Sequence, residues 1–132
     1  MKIDLGVENG TLQYYTPPPC AVGEQITKTG STSHAYGFEI VTGATLGAGI
    51  WHVNVQSDIG ASSTNSEKQV FCEVGGGIGR RGFVMDMSPY RICFQSSFVL
   101  VLTSDTVVNV NTYNVSSSAI SYSITMIATK IG

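Results

Sequence analysis

Residues 120–126 alternate without a break: Ile120, Tyr122, Ile124 and Met126 are apolar, and Ser121, Ser123 and Thr125 between them carry hydroxyls. A repeat of two is the pitch of a β-strand with one buried and one wet face, and an amphipathic helix cannot supply it. The same period returns upstream, where Trp51, Val53 and Val55 fall on one face and His52, Asn54 and Gln56 on the other. Residues 99–111 add two β-branched runs that meet at Thr103-Ser104-Asp105, whose Ser and Asp can hydrogen-bond their own backbone, so the segment reads as a hairpin. No helical period is visible, and turn-punctuated spacing predicts about eight to ten strands. The fold class expected is all-β, an antiparallel two-sheet jelly-roll sandwich. Trp51, Val53, Val55, Val99, Val101, Val108, Val110, Ile120, Tyr122, Ile124 and Met126 should supply much of its apolar packing, in the core or between subunits.

At 132 residues the chain is one domain with a leading arm, long enough to bury roughly two thirds of its unfolded surface. Residues 1–19 form the arm. Ile3, Leu5 and Val7 alternate as a short strand would, Glu8-Asn9-Gly10 offers a turn, and residues 12–16, with Tyr14 and Tyr15, read as the returning strand. Pro17-Pro18-Pro19 then donates no backbone hydrogen bond and favours an extended spacer. In the body, residues 20–132, further strands are expected at residues 25–27, 35–42, 69–74, 83–89 and 90–95, with a glycine-rich loop at residues 43–49.

Charge restricts the partners. Only 12% of residues are charged, where soluble domains average about 25%, so part of the outside is expected to be hidden in an assembly. Seven basic and nine acidic residues give a net charge of -2, which provides no field for nucleic acid or an anionic membrane. No segment approaches the roughly 20 apolar residues of a membrane helix. Charges at Lys2, Asp4 and Glu8 interrupt the run a signal peptide would need, so synthesis in the cytoplasm without export is expected.

Sites for chemistry are few. Cys20, Cys72 and Cys93 are an odd set without metal-ligand spacing and read as free, mostly buried thiols. Gly77-Ile78-Gly79-Arg80-Arg81-Gly82 matches the dinucleotide pattern by letter, but its mechanism needs a helix N-terminus at the pyrophosphate, and the residues that follow are strand-like. It reads as a hairpin loop whose two arginines could grip a carboxylate or phosphate on a partner. His34 falls in an expected loop and His52 on a polar strand face, neither with a spaced base or carboxylate cluster. Asn114-Val115-Ser116 is a glycosylation sequon by pattern and an ordinary loop by context. No catalytic, cofactor or metal residues are expected, and the chain does not read as an enzyme.

Three segments add a resemblance. Gly49-Ile50-Trp51-His52-Val53-Asn54-Val55 resembles the Gly-Leu-Tyr-x-Phe/Val strand of the complement globular-head and tumour-necrosis-factor-like jelly-roll family. Residues 99–107 resemble its Leu-x-Leu-x-x-Gly-Asp-x-Val hairpin, with Ser104 in the glycine's place, and residues 124–132 resemble its closing strand. The order and spacing agree across residues 35–132. The resemblance implies a tumour-necrosis-factor-like jelly roll and a homotrimer, and copies of this family occur in bacteriophage virions and on spore surfaces as well as in animal signalling proteins.

Together these readings predict a structural virion protein, a trimeric decoration or cement protein on the outer capsid of a tailed phage. Ile3, Leu5, Val7, Tyr14 and Tyr15 would hold the major capsid protein or another virion protein, while Trp51, Val53, Val99, Val101, Tyr122 and Ile124 would pack the core or the trimer. The alternative is a receptor- or carbohydrate-binding head of a fibre. Such heads follow long stalks, whereas this chain opens about twenty residues before its body, which favours decoration.

Overall fold

A computed structural model describes residues 22–63, 65–76 and 79–132, together with the backbone of Val7–Glu8 and Thr11–Leu12. Those two dipeptides, β1 and β2, pair antiparallel in the register Val7 with Leu12 and Glu8 with Thr11. Ile3, Leu5, Tyr14, Tyr15, the three prolines and Cys20 lie outside the described residues.

Eight strands make the body: β3 (Gln25–His34), β4 (Gly37–Leu46), β5 (Gly49–Ile59), β6 (Lys68–Val74), β7 (Arg80–Asp86), β8 (Ile92–Leu102), β9 (Thr106–Asn114) and β10 (Ile120–Lys130). They form two four-stranded antiparallel sheets, in the orders β3-β10-β5-β8 and β4-β9-β6-β7. Every consecutive pair of body strands except β6 and β7 is divided between the two sheets, so the chain wraps around the core as a jelly roll does.

The period-2 sequences lie where the pitch of a strand demands. Trp51, Val53, Val55 and Ile59 of β5 and Ile120, Tyr122, Ile124 and Met126 of β10 point between the sheets, against Val108 and Val110 of β9 and Val70 and Cys72 of β6. Each of these apolar side chains gains roughly 1.5–3 kcal/mol by leaving water, which makes the pairing register costly to slip. Trp51 closes one end of the core and donates its indole N–H to the Gly47 carbonyl at 2.9 Å, so its one polar atom is satisfied. The chain's end ties back at the same place, where Ile131 N–H donates to the Ile50 carbonyl at 2.8 Å and Ile50 N–H to the Gly132 carbonyl at 3.1 Å.

The strands run longer than the sequence reading. β3 spans ten residues where three were expected, and β4 continues through Gly43, since it is paired to β9 along its length. A β-carbon at Gly43 would stand 2.3 Å from the Asn109 Oδ1 and 2.7 Å from the Val108 carbonyl, so here glycine serves close strand packing and not a loop. Arg80 and Arg81 belong to β7 and not to a loop tip. The reversal at Thr103-Ser104-Asp105 exists, but it joins β8 to β9, which sit in different sheets and do not pair. The expected hairpin is therefore a crossing between layers. Val99 and Val101 are also not core residues: the inward positions of β8 are Phe94, Phe98, Leu100 and Leu102.

Candidate interaction surfaces

Inside the sandwich, the groups that could have carried chemistry are engaged in structure. His34 ends β3 and stacks on Tyr122 with ring centroids 5.4 Å apart. Its Nδ1–H donates to the Ala35 carbonyl at 2.7 Å, and its Nε2 lies 2.8 Å from Thr112 Oγ1, a hydroxyl that also donates to the Glu39 carbonyl at 3.4 Å. Such a hydroxyl–imidazole pair has the spacing of a nucleophile and base, yet Thr112 is fully buried and the second ring nitrogen is held by a carbonyl, not a carboxylate. Tyr122 donates to the Tyr113 carbonyl at 3.2 Å, and burial pushes its phenol up to about 12. Burial likewise pushes the Cys72 thiol up to about 12, which removes its nucleophilic form at neutral pH. Asn114 of the sequon is buried, donates to the His34 carbonyl at 2.8 Å and accepts the Ser116 N–H at 3.1 Å, so its amide caps a turn. Among the described residues no group of three His, Cys, Asp or Glu side chains is placed to hold a metal ion.

The outsides of the two sheets differ sharply. On the β3-β10-β5-β8 sheet the outward rows read across the strands as Gln25, Thr129, His52 and Val99, then Thr27, Ile127, Asn54 and Ser97, then Thr29, Thr125, Gln56 and Gln95, then Ser31, Ser123, Asp58 and Cys93. Asp58 is the one charged side chain in these rows. Arg91 bonds both its oxygens, and that guanidinium holds the carboxyl below its ordinary value. Ser57, Ser123, Thr29 and Gln95 help line an open depression of about 590 Å³ here. At the opposite end of the face Val99 is 54% and Val101 73% exposed, beside the exposed Ile50 and Ile131. A solvated sheet face ordinarily carries Lys and Glu; this one is neutral, hydroxylated and edged by aliphatic side chains.

The β4-β9-β6-β7 sheet turns an aromatic face outward. Phe38 of β4, Tyr113 of β9, Phe71 of β6 and Phe83 of β7 form one connected cluster, with centroids 4.5 Å apart for Phe38 and Tyr113, 6.1 Å for Phe38 and Phe71 and 6.4 Å for Phe71 and Phe83. The Arg80 guanidinium lies over it, 4.4 Å from the Phe71 centroid, and donates to Gln69 Oε1 at 3.0 Å. Sequence reasoning missed this cluster. Its aromatics come one from each of four strands, two of which, β4 and β9, pair far apart in sequence, although Phe71 and Phe83 at outward positions of β6 and β7 were a signal to be found.

The predicted site residues are thus dispersed. Trp51, Val53, Tyr122 and Ile124 are in the core, Val99 and Val101 stand together on the neutral outer face, and of the arm only the β1 pairing of Val7 is described. The segments that resemble the tumour-necrosis-factor-like family fall on β5, on the β8–β9 crossing and on β10, and β10, β5 and β8 are neighbours in one sheet.

These features define an all-β jelly-roll sandwich of two antiparallel four-stranded sheets. A chain of infectious bursal disease virus, Gx strain, superposes on it with a TM-score of 0.59 at 10% identity, covering 96% of this chain and 36% of that one. The VP2 subviral particle of the same virus matches equally, with a TM-score of 0.59 and 10% identity over 96% of this chain and 37% of the other. A chain from the disulfide-linked pili of Bacillus endospore appendages superposes with a TM-score of 0.46 at 14% identity, over 89% of this chain and 100% of that one. The present chain therefore spans little more than a third of the length of the two viral chains, and the likeness is one of fold. No family model and no curated protein matches its sequence. The tumour-necrosis-factor-like resemblance accordingly rests on its three motifs alone.

Proposed function

We propose that this chain is a structural virion protein, a homotrimer that decorates the outer surface of a capsid, that of a tailed phage on the sequence reading, and holds it through the N-terminal arm. The observation that carries the reading is the outer face of the β3-β10-β5-β8 sheet, neutral but for Asp58 and edged by exposed Val99, Val101, Ile50 and Ile131. Burying such a face between subunits leaves no unpaired charge and removes aliphatic surface from water, the two conditions a stable interface needs. A jelly-roll body shared with chains of virus particles supports the same reading. The arm supplies the second contact. Ile3, Leu5 and Val7 alternate, with Tyr14 and Tyr15 beyond them, in a segment able to add to an exposed sheet edge, and three arms per trimer multiply the affinity, because each later contact is effectively intramolecular.

The test has two parts. Light scattering should return three times the 14.0 kDa chain mass, and Val101→Glu should reduce it to one. Deleting residues 1–19 should leave that trimer folded but unable to bind empty capsids of the parent virus in electron micrographs. Undiminished decoration by the truncated trimer would overturn the arm's role. An intact protein that ignores capsids and is retained on immobilised glycans would establish the receptor-binding head instead.

A further inference from the structure

We propose that the aromatic outer face of the β4-β9-β6-β7 sheet is a two-fold contact with a second copy of this chain. It lies on the opposite side of the sandwich from the face assigned to the trimer and does not rest on that assignment.

The face is too apolar to be only solvated. Phe38 is 60%, Ile40 58% and Phe83 44% exposed, and contiguous patches of this kind mark association surfaces. Asn111, in register between Ile40 and Phe71, is buried, and among the described residues its Nδ2 has no acceptor.

The charges on the face identify the occupant. Glu73 and Arg80 are directly opposed in the β6–β7 register, so an ion pair between them would be the simplest outcome. Arg80 instead folds away over Phe71 to Gln69, and among the described residues no salt bridge forms at Glu73. The face thus presents a cation above Phe71 and an anion at Glu73, alternate outward positions of one strand. A two-fold axis lying in the interface and crossing the strands at the level of Cys72 exchanges those two positions. Each guanidinium then meets the other copy's Glu73. A second copy supplies the complementary charge by symmetry, whereas an unrelated partner would have to match both signs independently.

Shape follows the same operation. Ile40 is level with Phe71, and Gly43 is level with Glu73, through their common pairing to Asn111 and Asn109 of β9. The axis therefore sets the projecting Ile40 of one copy over Gly43 of the other. Beside Gly43, whose own position is covered by the Asn109 side chain, a depression of about 710 Å³ opens at the β3–β4 edge, lined by Ile26, Lys28, Ile40 and Asn109 among others.

Sedimentation velocity across a wide concentration range, on the full chain, tests this by charge exchange. The wild type should pass from its basal assembly to a species of larger mass as concentration rises. Arg80→Glu and Glu73→Arg should each weaken that step by at least about tenfold, since each sets like charges together. The double variant should restore it to near the wild-type value. Ile40→Glu should abolish the step while leaving the thermal melt unchanged, and Val101→Glu, which addresses the trimer, should leave it intact. Absence of the concentration-dependent step in the wild type, or a double variant no better than either single one, would overturn the proposal.

Discussion

Lys68 is fully buried at the end of β6, and its ammonium is placed by two acceptors, the Tyr90 carbonyl at 2.9 Å and Asp86 Oδ2 at 3.1 Å. Burial works to raise the Asp86 carboxyl, but hydrogen bonds from the Ser88 hydroxyl, Lys68 and the Ser88 N–H, together with the Lys68 charge, outweigh it and hold the group below its ordinary value. The pair fastens the turn between β7 and β8. Replacing one partner strands the other, so Asp86→Asn should cost about 2–3 kcal/mol at neutral pH, at the low end for such pairs because Asp86 keeps 14% exposure. A carboxyl depressed on folding contributes stability that is complete above its unfolded value and disappears as pH falls through the folded one. Urea melts of wild type and Asp86→Asn should therefore differ at pH 7 and begin to converge only as the pH falls below about 4. None of this was legible in the sequence, where Lys68 and Asp86 are two ordinary charges on separate segments. The odd cysteines were partly legible: Cys72 is the buried thiol expected, while Cys93 points outward and is exposed.

Strand β8 shows how far an element can be read and where reading stops. Its existence follows from β-branched and aromatic residues, but in Phe98-Val99-Leu100-Val101-Leu102 both parities are apolar, so the last five residues do not say which face is wet. The start of the strand does: Ile92, Phe94 and Phe98 share the parity of Leu100, while Cys93, Gln95 and Ser97 share that of Val99 and Val101. The β8–β9 turn was legible for the same local reason that its pairing was not. Ser104 and Asp105 turn the chain by their own hydrogen bonding, but which strands then pair is decided by β5, β4 and β6, far away in sequence. The phase of β8 has a measurable consequence. Leu100→Ala should lower the folding stability of the subunit by about 2–4 kcal/mol, and Val101→Ala should change it by less than about 0.5 kcal/mol while weakening the trimer. Denaturant melts and light scattering on the same two proteins separate these effects.

At the scale of the whole molecule, the low charge foreseen in the composition is not spread evenly. One sheet face is nearly without it, and the other sets the Arg80 cation on aromatic rings, with Glu73 opposite it in the strand register. Two assemblies that use these faces must respond differently to ionic strength. A trimer closed through the neutral face loses no Coulomb attraction when salt is added, and its aliphatic edge stays buried. A two-fold contact closed by Arg80 and Glu73 is drawn together partly by charge, and the screening length falls from about 10 Å at 0.1 M to about 3 Å at 1 M. Sedimentation in a sodium chloride series between those limits should accordingly keep the trimer mass constant while the larger species recedes. In Arg80→Glu, which sets like charges together, the added salt should instead screen a repulsion, so the larger species should hold or gain rather than recede. A trimer that comes apart at high salt would mean that charges hold it, and the neutral face could not then be its interface.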